Sequence, residues 1–235
     1  MKQLFYSCCL LLLAACSDRP HLVQPDKLAE GSPGFTISTE QDHQPADNYS
    51  YIKVWIKARP QSNFEPGATV SFSVDHGAFA DSSTVYRTGF SSDSTAWALV
   101  RSNTPGELMV TALVAGNYAL STALHFSVAR PTTIVVEADS AILHASFTST
   151  TLVKARLQRS PGTVSANQQV IFSDSTRLGT SAGSFIQTTA SDANGVATTR
   201  YQLQDTAYHG YVYIKGTVLK DDSTRITGIN RIWIP

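Results

Sequence analysis

Gly179-Thr180-Ser181-Ala182-Gly183 has the Gly-x-Ser-x-Gly spacing that can raise a serine hydroxyl as a nucleophile on a sharp strand-to-helix turn. Such a serine needs an acid and a histidine further along the chain, and only His209 follows it. No apolar residues at helical spacing come after the motif, so a polar loop is its expected setting and catalysis is not expected. His21, His43, His76, His125, His144 and His209 are scattered and never take a tight metal-ligand spacing. Asp192-Ala193-Asn194-Gly195 and Asp221-Asp222 offer oxygens to calcium, but the first has too few ligands for a calcium loop, and both suit turns better. No metal or cofactor is expected.

Thiol chemistry is confined to the first sixteen residues. The chain has three cysteines, Cys8, Cys9 and Cys16. A basic Lys2, an apolar run from Leu4 to Leu13 and small residues Ala14 and Ala15 precede Cys16. The run is far below the roughly 20 residues that span a bilayer, so it reads as an export signal that is removed. Leu13-Ala14-Ala15-Cys16 resembles the lipobox of bacterial lipoproteins. That resemblance implies that residues 1–15 are cleaved and that Cys16 is acylated, with palmitate-type chains holding the protein on a membrane. Ser17 after the cysteine resembles the residue that directs enterobacterial lipoproteins to the outer membrane. An ordinary secretory signal cut after Ala14 or Ala15 is the alternative. With Cys8 and Cys9 removed and Cys16 carrying lipid, the mature chain keeps no thiol for a disulfide, a zinc site or a nucleophile.

Lysine plus arginine and aspartate plus glutamate each number 18, so no basic stripe for nucleic acid is expected. Residues 16–34 carry Pro20, Pro25 and Pro33 with little periodicity and read as an extended tether. Beyond it, apolar residues alternate: Ile52, Val54 and Ile56; Val70, Phe72 and Val74; Leu108, Val110 and Ala112; Leu124, Phe126 and Val128. Period two predicts half-buried strands, separated by turns such as Glu65-Pro66-Gly67 and Asp75-His76-Gly77.

The pattern repeats after about one hundred residues. Ile56-Lys57-Ala58-Arg59 is matched with Val153-Lys154-Ala155-Arg156, and Val70-Ser71-Phe72 with Val170-Ile171-Phe172. Gly77-Ala78-Phe79 answers Gly183-Ser184-Phe185, and Val110-Thr111-Ala112 answers Ile214-Lys215-Gly216. This period suits tandem sandwich domains over 35–130 and 131–235, joined at Ala129-Arg130-Pro131-Thr132. Ser191-Asp192-Ala193-Asn194-Gly195-Val196-Ala197-Thr198, with the Val-x-Phe strand and the Gly-x-Phe turn, resembles the bacterial Ig-like group 1 domains of the invasin and intimin type. The resemblance implies an all-β chain of two tandem immunoglobulin-like sandwiches working as surface adhesin or spacer modules without catalysis. In the first copy, Ser92-Asp93-Ser94-Thr95-Ala96 lacks the turn glycine, and a different turn is expected there.

Three surface features bear on partners. Asp followed by Ser or Thr and then Ala or Thr recurs at Ser94, Ser140, Ser175, Thr206 and Ser223, which resembles an O-glycosylation sequon of exported bacterial proteins; turn capping is the plainer reading. Tyr208, Tyr211, Tyr213 and Trp233 could stack on sugar rings, although Tyr211 and Tyr213 share one strand face and a core position is favoured. Aligning Ala96 with Ala197 sends Trp97 and Leu99 outward as a partner contact, while a register shifted by one buries Trp97. The expected function is a lipid-anchored adhesive or spacer module with an unknown protein or glycan ligand. A glycan-binding accessory lipoprotein of a carbohydrate-uptake system is the alternative.

Overall fold

The computed structural model describes residues 34–59, 67–186 and 190–235, so the signal segment, Cys16 and nearly all of the tether lie outside it. Two sandwiches follow one another. In the first, β1 (Phe35–Thr39), β3 (Ile52–Ala58), β7 (Thr95–Arg101) and β5 (Ala78–Phe79) form one sheet in the order β1-β3-β7-β5. It faces a second sheet in which β2 (His43–Pro45), β9 (Tyr118–Ser127), β8 (Gly106–Val114), β4 (Thr69–Val74) and β6 (Val85–Gly89) are ordered β2-β9-β8-β4-β6. In the second sandwich, β10 (Thr133–Ala138), β11 (Thr150–Gln158), β14 (Val196–Leu203) and β13 (Gly183–Phe185) are ordered β10-β11-β14-β13. Opposite lie β12 (Ile171–Ser175), β15 (Gly210–Leu219) and β16 (Arg225–Ile234), in that order.

Alternation decides what each sandwich buries. Ile52, Val54, Ile56, Val70, Phe72, Leu108, Val110, Ala112, Leu124 and Phe126 all enter the first core, with Phe79 and Val100. Fully burying one such aliphatic or aromatic side chain stabilises the fold by about 1.5–3 kcal/mol. Val74 is only partly buried against that core. Val128, expected inside, is exposed because it lies beyond the end of β9, and Ala129 is buried in its place. The second core gathers Val153, Ala155, Val170, Ala197, Tyr201, Leu203, Val212, Ile214, Ile232 and Ile234.

The repeat holds at the level of single atoms. The N–H of Ala58 donates to Ser94 O, and the N–H of Leu157 donates to Gly195 O. Ile56 pairs with Ala96 and Ala155 pairs with Ala197, so Ile56 corresponds to Ala155 and not to Val153. A slip of two residues preserves alternation, so the sequence pattern alone does not distinguish the two alignments. Gly77 immediately precedes β5, and Gly183 opens the equivalent strand β13. A Cβ there would overlap the carbonyl oxygens of Arg101 and Gln202 respectively, so the glycine of the Gly-x-Phe turn answers a close backbone approach.

The missing turn glycine of the first copy does not change the turn. Ser91 N–H donates to Thr95 O and Ser94 N–H to Ser91 O, as Asp192 N–H donates to Val196 O and Gly195 N–H to Asp192 O. Ser94 sits at φ 60° where Gly195 sits at φ 73°. The same pattern closes 176–180, with Gly179 at φ 83°, and 220–224, with Ser223 at φ 62°. Asn194 is not left-handed, so a single positive φ makes the reversal.

Candidate functional site

Ser181 does not stand as a nucleophile. Its hydroxyl donates to Asp174 Oδ1 at 2.5 Å, in the polar loop that leads into β13. Asp174 Oδ2 also accepts the N–H groups of Ala182 and Gly183 and the hydroxyl of Tyr201 at 2.9 Å. Burial, and then the Asp174 carboxylate, push the pKa of the Tyr201 hydroxyl far up, so it remains a donor. His209 instead lies with Nδ1 2.6 Å from Pro235 O. Among the described residues, no three His, Asp or Glu side chains converge as metal ligands.

Asp192 and Asp222 act as turn caps. Asp192 Oδ1 accepts the N–H groups of Asn194 and Val196, and Asp222 Oδ1 accepts the N–H and hydroxyl of Thr224. Asp93 caps Thr95 in the same manner and accepts from the Ser91 hydroxyl. The Asp-Ser-Thr recurrence at 93–95 and 222–224 is therefore one turn used twice, with Ser94 and Ser223 at its left-handed corner. Ser140 lies after β10, Ser175 ends β12, and Thr206 lies in the loop before β15. Asp139, before Ser140, pairs with Lys154 at 3.0 Å.

Trp97 faces outward. Ala96 and Ala98 are buried, Trp97 is 44% exposed, and Leu99 beside it is half-buried. The shifted register is excluded, because it would bring Ala96 to the surface. Trp97 is the register partner of Trp55 on β3, and Lys53 Nζ stands 5.1 Å from its ring centroid. At the end of the same face, Arg101 stacks over Tyr51 at 5.7 Å. The result is a flat aromatic and cationic surface, the composition favoured at binding hot spots.

A second face overturns an expectation. Val212, Ile214, Ile232 and Ile234 take the core of the second sandwich, so Tyr211, Tyr213 and Trp233 point out. Gly216 and Gly228 pair across β15 and β16 on the inner face, where a Cβ on either would meet Ile134 and Val136 of β10. Tyr211 and Trp233 pack edge to face at 4.9 Å, and Arg231 lies 5.0 Å over Tyr211. Only Tyr208 stays against the core, its hydroxyl donating to Tyr211 O at 2.7 Å.

Sequence reasoning missed a polar junction between the sandwiches. Asp47, almost fully buried, accepts Tyr49 N–H and Ser50 N–H on Oδ1, and Ser50 Oγ and Arg159 Nε on Oδ2. Arg159 also donates to Arg130 O and pairs with Asp221. Thr163 N–H donates to Asp47 O at 2.8 Å, and Ser165 Oγ bridges Ala129 N–H and Ala46 O. Gly162, at φ 91°, is required here, since a Cβ would stand 2.6 Å from Asp47 O. Nothing local in the sequence marks these partners.

No family profile and no curated protein sequence matches the chain. Among solved structures it is similar to invasin, described as a bacterial integrin-binding protein, with a TM-score of 0.59 at 18% identity, over 83% of this chain and 38% of that one. It is likewise similar to the adhesin InvE of Yersinia pseudotuberculosis, with a TM-score of 0.52 at 16% identity, over 84% of this chain and 58% of that one. The chain thus spans less than two thirds of either protein. At these identities the likeness speaks to fold, and the fold is a pair of immunoglobulin-like β-sandwiches of the kind found in these bacterial adhesins.

Proposed function

We propose that the chain is a non-enzymatic, lipid-anchored surface protein of the cell envelope, held on the outer membrane through Cys16, whose two sandwiches act as an adhesive or spacing module. The observation that carries the reading is Trp97, held in solvent on a flat sheet face beside Trp55, Leu99 and Lys53. An exposed indole flanked by a cation is a costly surface choice unless a partner covers it. Cells displaying the chain are expected to attach to host-cell or matrix surfaces better than cells lacking it. Trp97→Ala, folded as judged by its circular dichroism, is expected to lower attachment about tenfold, in line with a loss of 1–2 kcal/mol at a hot spot. Equal attachment of parent and variant would remove Trp97 from the contact.

The anchor is tested separately. Two acyl chains hold a protein on a membrane where one is marginal. Cys16→Ser should therefore move the chain from the membrane fraction to the soluble fraction. Sugar on Ser94, Ser140, Ser175, Thr206 or Ser223 belongs to the same proposal and would appear as added hexose mass on tryptic peptides. The second reading, a glycan-binding accessory lipoprotein, is favoured by the outward Tyr211 and Trp233.

A further inference from the structure

The outer face of β12, β15 and β16 combines ring surfaces with unbalanced positive charge. Tyr211, Tyr213 and Lys215 alternate outward on β15, directly across from Trp233, Arg231 and Ile229 on β16. Further along β16 the same face carries Arg225. No outward position of these three strands holds a carboxylate, although the whole chain has equal numbers of acids and bases. The nearby acids are engaged elsewhere: Asp174 with Tyr201, Asp221 with Arg159, and Asp222 with Thr224 and Lys220.

From these observations we infer that this face is a binding platform for an acidic polysaccharide, a chain of sugar rings bearing carboxylate or sulfate groups. The inference rests on the surface-display reading above and adds the ligand class and the site. Three physical features select that class. The face is the outer surface of a sheet, so it suits an extended ligand. From Trp233 to Arg225 it runs about 27 Å at roughly 3.4 Å per residue, with same-face side chains about 7 Å apart, which allows several sugar units to be touched in succession. The rings at one end offer flat apolar surfaces for sugar faces, with hydroxyl tips for hydrogen bonds. Arg231, Lys215 and Arg225 then meet the acidic groups along the chain, Arg231 with a planar fork that suits carboxylate or sulfate oxygens.

A purely stabilising role explains less. Cross-strand aromatic packing accounts for Tyr211 against Trp233 but not for the run of cations beyond them. A protein partner fits the composition less well, because lysine is depleted from the centres of protein interfaces and Lys215 lies mid-face.

The test uses the full chain in detergent, titrated at low salt with polygalacturonate oligomers, with heparin oligosaccharides and with neutral cello-oligosaccharides. Tryptophan fluorescence and calorimetry give the readouts. At least one acidic series is expected to bind and the neutral one not to bind, and the two acidic series separate carboxylate from sulfate recognition. Raising the salt should weaken binding several-fold. Trp233→Ala and Arg231→Gln should each weaken it at least tenfold. Arg156→Gln, which removes an exposed arginine from the opposite sheet, should leave it unchanged. No binding by either acidic series, equal binding of the neutral series, or equal losses in Arg156→Gln and Arg231→Gln would overturn the site. Capture of a protein by this face, blocked by Trp233→Ala without any acidic glycan binding, would overturn it as well. Cell attachment that still depends on Trp97 after such a failure would leave the adhesive reading standing.

Discussion

Arg159 Nε lies 3.4 Å from Asp47 Oδ2, joining the two sandwiches across 112 residues of sequence. The arginine is itself tied to Asp221 and to Arg130 O, so one guanidinium touches the first domain, the connecting segment and a hairpin of the second. Removing one member of a buried pair leaves the other charge uncompensated and costs about 3–5 kcal/mol where burial is complete. Arg159 keeps some exposure, and Asp47 has three further donors, so Arg159→Ala should cost less than that. The expected result is a modest fall in melting temperature together with a wider spread of interdomain orientations in residual dipolar couplings. An unchanged spread would assign the rigidity to Ser165 and Thr163 instead.

Residues 131–235 alone are expected to fold cooperatively, because their core draws on no residue of the first sandwich. Dispersed, protected amide signals in NMR would bear this out. A collapsed spectrum would mean that the Asp47 junction is needed for folding itself.

The four-fold turn separates backbone need from side-chain need. Gly195→Ala places a Cβ 2.8 Å from Leu157 O at a positive φ, so a loss of about 1–2 kcal/mol in denaturant titration is expected. Ser94→Ala keeps a β-carbon that the turn already tolerates and should change stability much less. Ser94→Gly should be neutral or slightly stabilising, since relief at φ 60° offsets the freer unfolded chain.

Acid should loosen these turns. The Ser91 hydroxyl, foremost among its donors, holds the Asp93 carboxyl below its ordinary range; the Val196 N–H does the same for Asp192 and the Thr224 hydroxyl for Asp222. A depressed folded pKa contributes stability that is complete above the unfolded value near 3.8 and is lost as pH falls through the lower folded value. Melting temperatures should therefore be insensitive to these three groups above about pH 5 and drop below about pH 4. Asp93→Asn should flatten part of that drop.

Tyr201→Phe keeps the ring and deletes the hydroxyl that meets Asp174. A cost of about 1.5–3 kcal/mol is expected, the range for a hydrogen bond to a charged group. A cost below 0.5 kcal/mol would mean that the backbone donors of Ala182 and Gly183 suffice for Asp174.

The strands of both sandwiches were legible in the sequence, because a pleated strand turns successive side chains to opposite faces and the Ile52-Val54-Ile56 kind of run records that directly. The tandem repeat was legible for the same reason, and so was the polar-loop setting of Ser181. Local pattern could not rank two apolar sets on one strand. Tyr211-Tyr213 and Val212-Ile214 both alternate, and only the assembled sandwich, in which Val212 and Ile214 meet the opposite sheet, decides that the aliphatics go in. Nor could it choose the register of Trp97, which depends on Ala96 meeting Ile56 across the sheet. The Asp47–Arg159 junction was beyond reach for a simpler reason. Its partners come from segments that meet only after both sandwiches have formed, and a buried charge leaves no periodic trace in the chain around it.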